Sequence, residues 1–325
     1  MKMEKKIKRI AVLTSGGDAP GMNAAIRAVV RTALNHGVEV LGVFEGYQGL
    51  IDNNMKFLSY KDVSNIINMG GTMLYSARCT DMLTDAGKEK AVSTCHTAGI
   101  DGIVCIGGDG TFKGARELSR RGISCIGIPA TIDNDIGCTE YCLGFDTALN
   151  TVLEFVDRVR DTCMSHARCS VVEVMGRDAG HIALQSAIAT GAVAVALPEQ
   201  EFNFDKMIEK MLRARTQGRR QFIVITAEGT GLTNKIHQAI VDKTGIETRT
   251  AVLAHVQRGG SPTAKDRVLA SYMGHYAVEL LLEGKSCRVV AEQKGKIVDF
   301  DIEEALAKPK HFDLDLLEIA DTISV

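Results

Sequence analysis

Hydrophobic residues along the chain follow two alternating patterns. Short runs rich in Val and Ile predict strands at residues 9–13, 38–44, 102–106, 124–128, 170–174, 192–197, 222–227 and 250–256. Longer amphipathic segments between them predict helices. The clearest is Met22–Asn35, with apolar residues at helical spacing and Gly37 as its candidate C-cap. This alternation predicts an α/β fold with a mostly parallel sheet covered by helices on both faces.

The length of 325 residues predicts two domains, and no Ser- or Pro-rich linker separates them. Three predicted strands end in related loops, VLTSGGDAPG (12–21), VCIGGDGTFKG (104–114) and VEVMGRDAG (172–180). The similarity of these three loops is weak support for a duplicated α/β unit. The alternative is that turns between strands and helices commonly use Gly and Asp.

Composition and charge exclude several classes of protein. Lys plus Arg (38) and Asp plus Glu (40) leave a net charge of −2, so we expect no nucleic-acid partner. The N-terminal MKMEKKIKRI is basic, but glycines and Asp18 soon interrupt the apolar run that a signal peptide needs. No segment approaches the ~18 apolar residues of a membrane span. Nine scattered cysteines without metal-type spacing predict reduced thiols in a cytoplasmic enzyme.

The glycine-rich loops predict phosphate binding. Glycines between a strand and a helix let backbone N–H groups approach an anion, and the helix N-terminus adds partial positive charge. The chain lacks GxxxxGK[ST], and GDGTFKG is out of register with GxGxxG, so neither a P-loop nor a dinucleotide fingerprint is predicted. A single loop of this kind often serves only to connect a strand to a helix, whereas three such loops favour a phosphate ligand.

Charged residues beside these loops suggest phosphoryl transfer. Asp109 follows a predicted strand and is a candidate Mg²⁺ ligand, although it would also serve as a helix N-cap. Arg177 and Arg258 adjoin glycines at strand ends and fit bidentate phosphate recognition.

The segment IGIPATIDNDI (126–136) offers a catalytic base. If the chain is extended there, Asp133 and Asp135 point to one side and Asn134 to the other. One carboxylate would accept a proton from an attacking hydroxyl, while the other orients the substrate or a metal. The alternative is an Asx turn that follows Pro129.

Seven motifs occur in order between residues 14 and 262: TSGGDAPGMNAAIR, GGTMLYSAR, IGGDGT, TIDND, VEVMGR, AEG and HVQRGGSP. Together they resemble the family of bacterial 6-phosphofructokinases, which transfer a phosphoryl group from Mg-ATP to the 1-hydroxyl of fructose 6-phosphate in glycolysis. The resemblance implies two similar Rossmann-like domains in a homotetramer that shares active sites between subunits. Residues 1–144 plus 257–307 would form the larger ATP- and Mg²⁺-binding domain, and 145–256 plus 308–325 the smaller sugar-phosphate-binding domain.

The resemblance also implies residue roles. Asp133 would be the base, Thr131 and Asp135 would assist it, and Arg78 and Arg177 would stabilise the transferring group. Asp109 would hold Mg²⁺, and the ATP site would comprise Gly17, Arg78, Cys79, Gly108, Asp109, Gly110 and Thr111. The sugar-phosphate site would comprise Thr131, Asp133, Met175, Gly176, Arg177, Glu228, His255 and Arg258, with Arg168 and Arg249 from a neighbouring subunit.

Individual residues at positions that differ among members of the family bear on the phosphoryl donor and on regulation. Diphosphate-dependent relatives commonly carry Asp and Lys where this chain has Gly110 and Ala130, so we expect ATP, with diphosphate as the alternative. The effector site for ADP or phosphoenolpyruvate would use Arg27, Arg31 and Arg160. Tyr60 and Val193 replace an Arg and a Glu that allosteric members often have, which predicts weak or altered allostery.

Other interpretations explain some of these residues. Arg27 and Arg31 are also compatible with a solvated helix face. An NAD or lipid kinase would explain GGDGT alone, and a nucleotide-sensing module without catalysis would explain the glycine loops. Neither gives TIDND a role.

Overall fold

The computed structural model describes residues 7–324. Residues 1–6 and Val325 lie outside the described residues. Residues 1–6 belong to the basic N-terminal segment for which no signal peptide is predicted. Within the described part there are eleven strands: β1 (Arg9–Ser15), β2 (Glu39–Val43), β3 (Met55–Phe57), β4 (Gly102–Gly107), β5 (Ser124–Pro129), β6 (Cys169–Val174), β7 (Ala194–Ala196), β8 (Phe222–Ala227), β9 (Thr248–Val252), β10 (Arg288–Gln293) and β11 (Lys296–Asp301).

The helices lie between the strands, as the α/β prediction requires, and that fold class is confirmed. They are α1 (Met22–Asn35), α2 (Gly46–Ile51), α3 (Asp85–Thr97), α4 (Asp109–Arg120), α5 (Phe145–His166), α6 (His181–Thr190), α7 (Phe204–Thr216), α8 (Thr233–Thr244), α9 (Ala264–Leu282), α10 (Ile302–Ala307) and α11 (Leu314–Ile323). Short 3₁₀ turns occupy Asp81–Leu83, Glu228–Thr230 and Ala254–Arg258.

The chain divides into two compact units. The first comprises residues 7–131, 136–146 and 258–310, and the second comprises 132–135, 147–257 and 311–324. The predicted division at 144, 257 and 307 placed residues 132–135 in the first domain, whereas their contacts group them with the second unit.

A seven-stranded sheet in the order β11-β10-β5-β4-β1-β2-β3 forms the centre of the first unit. Its inner strands are parallel, and the β2–β3 and β10–β11 pairs at its two ends are antiparallel. The residues of β4 and β5 are almost all buried, as expected for parallel strands covered on both faces. Their carboxyl ends, with that of β1, carry the glycine loops of this unit.

Helix α1 has the predicted bounds, and its apolar stripe is buried. His36 is the C-cap, and Gly37 follows it with a φ of 71°, the left-handed conformation that ends many helices. Helix α9 packs closely on α1 because Gly274 has no side chain. A Cβ there would lie 2.7 Å from the Cβ of Ala28.

The second unit contains a four-stranded parallel sheet in the order β7-β8-β6-β9. Its core joins the inner faces of these strands to α7 and α8, through residues such as Val224, Met211 and Ile240. The carboxyl ends of β6 and β8 carry the sugar-site candidates.

Some strand predictions were wrong. The strand expected at 250–256 is Thr248–Val252, because Ala254 takes a φ of 46° and the chain turns into the 3₁₀ segment Ala254–Arg258. The sequence analysis missed β3, β10 and β11. The β10–β11 hairpin had a local signal, since Lys294 and Gly295 at its tip both have positive φ.

No helix among residues 7–324 is long and apolar enough to cross a membrane. None of the nine cysteines forms a disulfide, in keeping with the predicted reduced thiols.

Candidate functional site

The loop between β1 and α1 brings a glycine against an arginine within the first unit. Arg258 donates from Nη1 to the carbonyl oxygen of Asp18 at 3.2 Å. A Cβ at Gly17 would lie 2.5 Å from the same nitrogen, so glycine is what allows the guanidinium to rest on the loop. The structure therefore places two separately predicted site residues, Gly17 and Arg258, in contact.

A second loop joins β4 to α4 beside the first. Asp109 is exposed and is the first residue of α4, where the helix dipole favours a negative charge. Thr111 is only 2 % exposed, and its hydroxyl donates to the Ser15 carbonyl at 3.0 Å. Its side chain thus ties the two loops together. At Gly110 a Cβ would meet no atom within 4 Å, so this position faces open space.

The segment that carries Arg78 and Cys79 is attached to the β1 loop by hydroxyl groups. Ser76 Oγ donates to the Gly16 carbonyl at 2.5 Å, and Thr14 Oγ1 donates to the Tyr75 carbonyl at 2.8 Å. Arg78 is exposed beyond these anchors, and burial raises the pKa of the half-buried Cys79 thiol.

Asn23 is a positioning residue that the sequence analysis passed over, although it lies inside TSGGDAPGMNAAIR. It is 1 % exposed and accepts from the Met73 N–H at 2.7 Å. Its amide nitrogen donates to the carbonyls of Met69 and Gly70, each at 3.1 Å. The start of α1 thereby holds the chain that leads to Arg78.

The TIDND segment is a turn, so the expectation of an extended segment with alternating sides was wrong. β5 ends at Pro129, and Asn134 has a φ of 52°, a left-handed conformation that Asn tolerates better than most residues. Asp133 is 7 % exposed and Asp135 is half-buried. Asn134, to which the sequence analysis assigned no role, takes this left-handed conformation between the two carboxylates.

Thr131 belongs to the first unit, whereas Asp133 and Asp135 belong to the second. Ala130 is 1 % exposed and its N–H donates to the Gly107 carbonyl at 3.0 Å. Its small side chain is thus packed inside the first unit.

In the second unit, side chains hold the loop after β6. The Arg177 N–H donates to Glu228 Oε1 at 2.9 Å, and the Met175 N–H donates to Gln257 Oε1 at 3.2 Å. A Cβ at Gly229 would lie 2.1 Å from the Arg177 carbonyl oxygen, so this turn must approach the loop closely. Gln257 is fully buried and was not predicted, although it lies in HVQRGGSP beside the predicted residues.

The predicted phosphate ligands form separate groups. Arg168 and Arg249 both bind Glu247, a residue that the sequence analysis did not single out. His255 is exposed on the 3₁₀ segment in the second unit, whereas Arg258, at the end of that segment, is grouped with the first.

The candidate effector residues are likewise distributed. Arg27 and Arg31 lie one turn apart on α1, and burial, with a smaller effect of Arg31, lowers the pKa of Arg27. The Arg31 guanidinium lies 5.9 Å from the Tyr60 ring centroid. In the second unit, Arg160 donates to the Thr190 carbonyl, and Val193 is fully buried in the core.

No group of three or more His, Cys, Asp or Glu side chains that could hold a metal occurs among residues 7–324. The donor set at Asp109 nevertheless fits Mg²⁺, which commonly takes one or two carboxylates and completes its shell with phosphate oxygens and water. Asp109 is exposed at the N-terminus of α4, next to the open position at Gly110.

Comparison with known proteins gives concordant results. Residues 9–281 match the profile of the family described as phosphofructokinase. The chain is 52 % identical over 318 residues to the ATP-dependent 6-phosphofructokinase of Clostridium botulinum, covering 98 % of this chain and 100 % of that protein. It is 50 % identical over 319 residues to the protein of the same name from Brevibacillus brevis, with the same coverage.

Solved structures agree on the fold. A phosphofructokinase from Saccharomyces cerevisiae superposes with a TM-score of 0.90 at 33 % identity, covering 96 % of this chain and 50 % of the yeast chain. The chain thus spans half the length of that relative. A pyrophosphate-dependent phosphofructokinase from Marinobacter aquaeolei gives a TM-score of 0.84 at 23 % identity over 95 % of this chain and 86 % of its own, which indicates the shared fold alone.

Proposed function

Because the chain belongs to the phosphofructokinase family, we propose that it transfers the terminal phosphoryl group of ATP to the 1-hydroxyl of fructose 6-phosphate, giving fructose 1,6-bisphosphate. The observation that carries this proposal is the 52 % identity to an ATP-dependent 6-phosphofructokinase over 98 % of the chain. The open space at Gly110 supports ATP over diphosphate, because it leaves room beside the donor phosphates.

In this proposal the first unit binds the donor. The backbone at Gly17, Gly108 and Gly110 would face the phosphates at the starts of α1 and α4, where partial positive charge collects. Asp109 would hold Mg²⁺, which neutralises phosphate charge when bound. Arg78, Cys79 and Thr111 would complete the donor site.

Asp133 would act as the base. As the 1-hydroxyl oxygen bonds to the γ-phosphorus, the bond from phosphorus to the β–γ bridging oxygen breaks, and the hydroxyl proton passes to the Asp133 carboxylate. Thr131 and Asp135 would orient the hydroxyl. The guanidinium groups of Arg78 and Arg177 would offset the negative charge of the transferring group.

The second unit would bind the sugar through Met175, Gly176, Arg177 and Glu228. Arg177 would be well placed for this because Glu228 fixes its backbone N–H. The 6-phosphate would be bound by His255 and Arg258, with Arg168 and Arg249 supplied by a neighbouring subunit. A cytoplasmic homotetramer with shared active sites is therefore part of the proposal, as is an ADP or phosphoenolpyruvate effector site at Arg27, Arg31 and Arg160.

The test is phosphoryl transfer to fructose 6-phosphate in the presence of Mg²⁺, with ATP and diphosphate compared as donors. We expect product with ATP, none with diphosphate, and no ATP hydrolysis when the sugar is omitted. Turnover with diphosphate would assign the other donor class. Phosphorylation of NAD or of a lipid in place of the sugar would overturn the proposal.

A further inference from the structure

A single carboxylate lies between two arginines at the start of adjacent strands in the second unit. Arg168 directly precedes β6, and Glu247 directly precedes β9, which pairs with β6 in parallel register. Arg168 Nε lies 2.8 Å from Glu247 Oε2, and Arg249 Nη2 lies 2.8 Å from Glu247 Oε1. Each carboxylate oxygen thus binds one arginine.

The backbone fixes this arrangement. The Cys169 N–H donates to the Glu247 carbonyl at 2.9 Å, and Ser170 is directly opposite Arg249 in the ladder. Arg168 and Glu247 flank the starts of the two paired strands and Arg249 lies in β9, so both arginines meet at the Glu247 carboxylate. Two converging guanidinium groups form a site for an oxyanion, and a phosphate group uses the same donors as a carboxylate.

The site is accessible to exchange. The side chains of Arg168, Glu247 and Arg249 are 26 %, 48 % and 70 % exposed. The Arg249–Glu247 pair is the exposed one and contributes little to stability, which leaves the carboxylate open to competition from a dianionic phosphate. The Arg168 guanidinium, with a smaller effect of Arg249, lowers the pKa of Glu247.

We propose that Glu247 is an internal competitor that occupies the Arg168–Arg249 pair until the phosphate of the sugar substrate displaces it, and so weakens substrate binding. The assignment of the pair to the sugar phosphate rests on the proposed function. The sign of the effect is fixed by charge. Even when displaced, the Glu247 carboxylate stays near Arg249 and repels the incoming dianion.

The test is Glu247→Gln, which keeps the side-chain shape and removes the charge. We expect KM for fructose 6-phosphate to fall about two- to fivefold, the size of an exposed ion pair, with kcat and KM for ATP unchanged. Asp205→Asn is the matched control, because Asp205 is an exposed carboxylate of the same unit that binds Lys243 instead of an arginine. It should leave all three constants unchanged. An unchanged or raised KM for fructose 6-phosphate in Glu247→Gln would overturn the proposal.

A second measurement does not depend on catalysis. Inorganic phosphate binding is measured by calorimetry on the full chain and on the Glu247→Gln and Arg249→Ala variants. We expect tighter binding in the first variant and weaker binding in the second. If phosphate binding changes as expected but no sugar is phosphorylated, the proposed function is wrong, while Glu247 still competes with phosphate for the arginine pair. If sugar is phosphorylated and phosphate affinity is equal in all three proteins, the competitor role alone is wrong.

Discussion

The loops after β1 and β4 in the first unit differ from those after β6 and β8 in the second. In the first unit, glycine carries the loop geometry: Gly17 admits the Arg258 guanidinium, and Gly110 borders open space. In the second, side chains of Glu228 and Gln257 accept the backbone N–H groups of Arg177 and Met175. The loops of the first unit thus depend on glycine for their geometry, whereas the backbone of the loop after β6 in the second unit is held by side chains.

This difference suggests a division of labour. A polyphosphate tail offers many equivalent oxygens, which suit backbone N–H groups at helix starts. A sugar phosphate has a defined shape, which suits positioned side chains. Sequence similarity between the loops, noted as a weak sign of duplication, therefore does not imply that the two sets of loops bind ligands in the same way.

The largest expected effect comes from Asp133, the proposed base, which lies on the segment grouped with the second unit. Asp133→Asn should lower kcat about 10²- to 10⁴-fold, because proton acceptance by the carboxylate is lost. ATP binding, measured by equilibrium titration, should be unchanged, since the loops proposed to bind ATP lie in the other unit. If kcat falls by less than about tenfold, Asp133 is not the base.

Gly110→Asp tests whether the loop at the start of α4 in the first unit lies next to the phosphates of ATP. Folding should be preserved, because a Cβ there meets no atom within 4 Å and an acidic residue suits the first turn of α4. KM for ATP should rise roughly tenfold or more, since a carboxylate would repel the donor phosphates. Gly110→Ala is the control and should have a much smaller effect. Unchanged ATP kinetics in the Asp variant would mean that the donor lies elsewhere.

The side-chain character of the second unit is tested by Gln257→Ala. Loss of its amide leaves the Met175 N–H without its acceptor in a buried place, which should lower the free energy of unfolding by about 1–3 kcal/mol. Urea denaturation measures this. Gln238→Ala removes a surface amide paired with Asp242 and should cost little. Equal costs for the two variants would show that the buried amide does not support the loop.

The smallest effect is expected for regulation. In the first unit Arg31 lies beside the Tyr60 ring. In the second unit Arg160 donates to the backbone carbonyl of Thr190. ADP should therefore change KM for fructose 6-phosphate by less than about threefold. Sigmoidal kinetics with strong activation by ADP would contradict this prediction. Tyr60→Arg, which restores the residue common in allosteric members, should enlarge the response.

The sequence predicted elements wherever local pattern and tertiary packing agree. Helix α1 was predicted to the residue, because its apolar stripe is the surface that packs on the sheet and on α9. Strand β9 was misplaced, because the apolar residues after it continue into a 3₁₀ turn. The hairpin β10–β11 was missed although the Lys294–Gly295 turn was present, because β11 is half-buried and mixes charged with apolar residues.

The site was less predictable than the fold. Motifs identified the residues at strand ends, but the partners that position them come from distant sequence. Glu247 was missed because its importance depends on Arg168, 79 residues earlier in the chain, across a strand pair. Asn134 was misread because an extended segment was assumed where a left-handed residue turns the chain. Such features depend on tertiary contacts and backbone angles, which side-chain periodicity does not report.

The two ends of the seven-stranded sheet have a consequence for self-association. One edge strand, β3, is three residues long, and the other, β11, begins with Lys296 and ends with Asp301. Short or charged edges resist pairing with a strand from another molecule. Association between copies of this chain through the edges of the seven-stranded sheet is therefore disfavoured, and a transiently exposed edge of that sheet offers little template for aggregation.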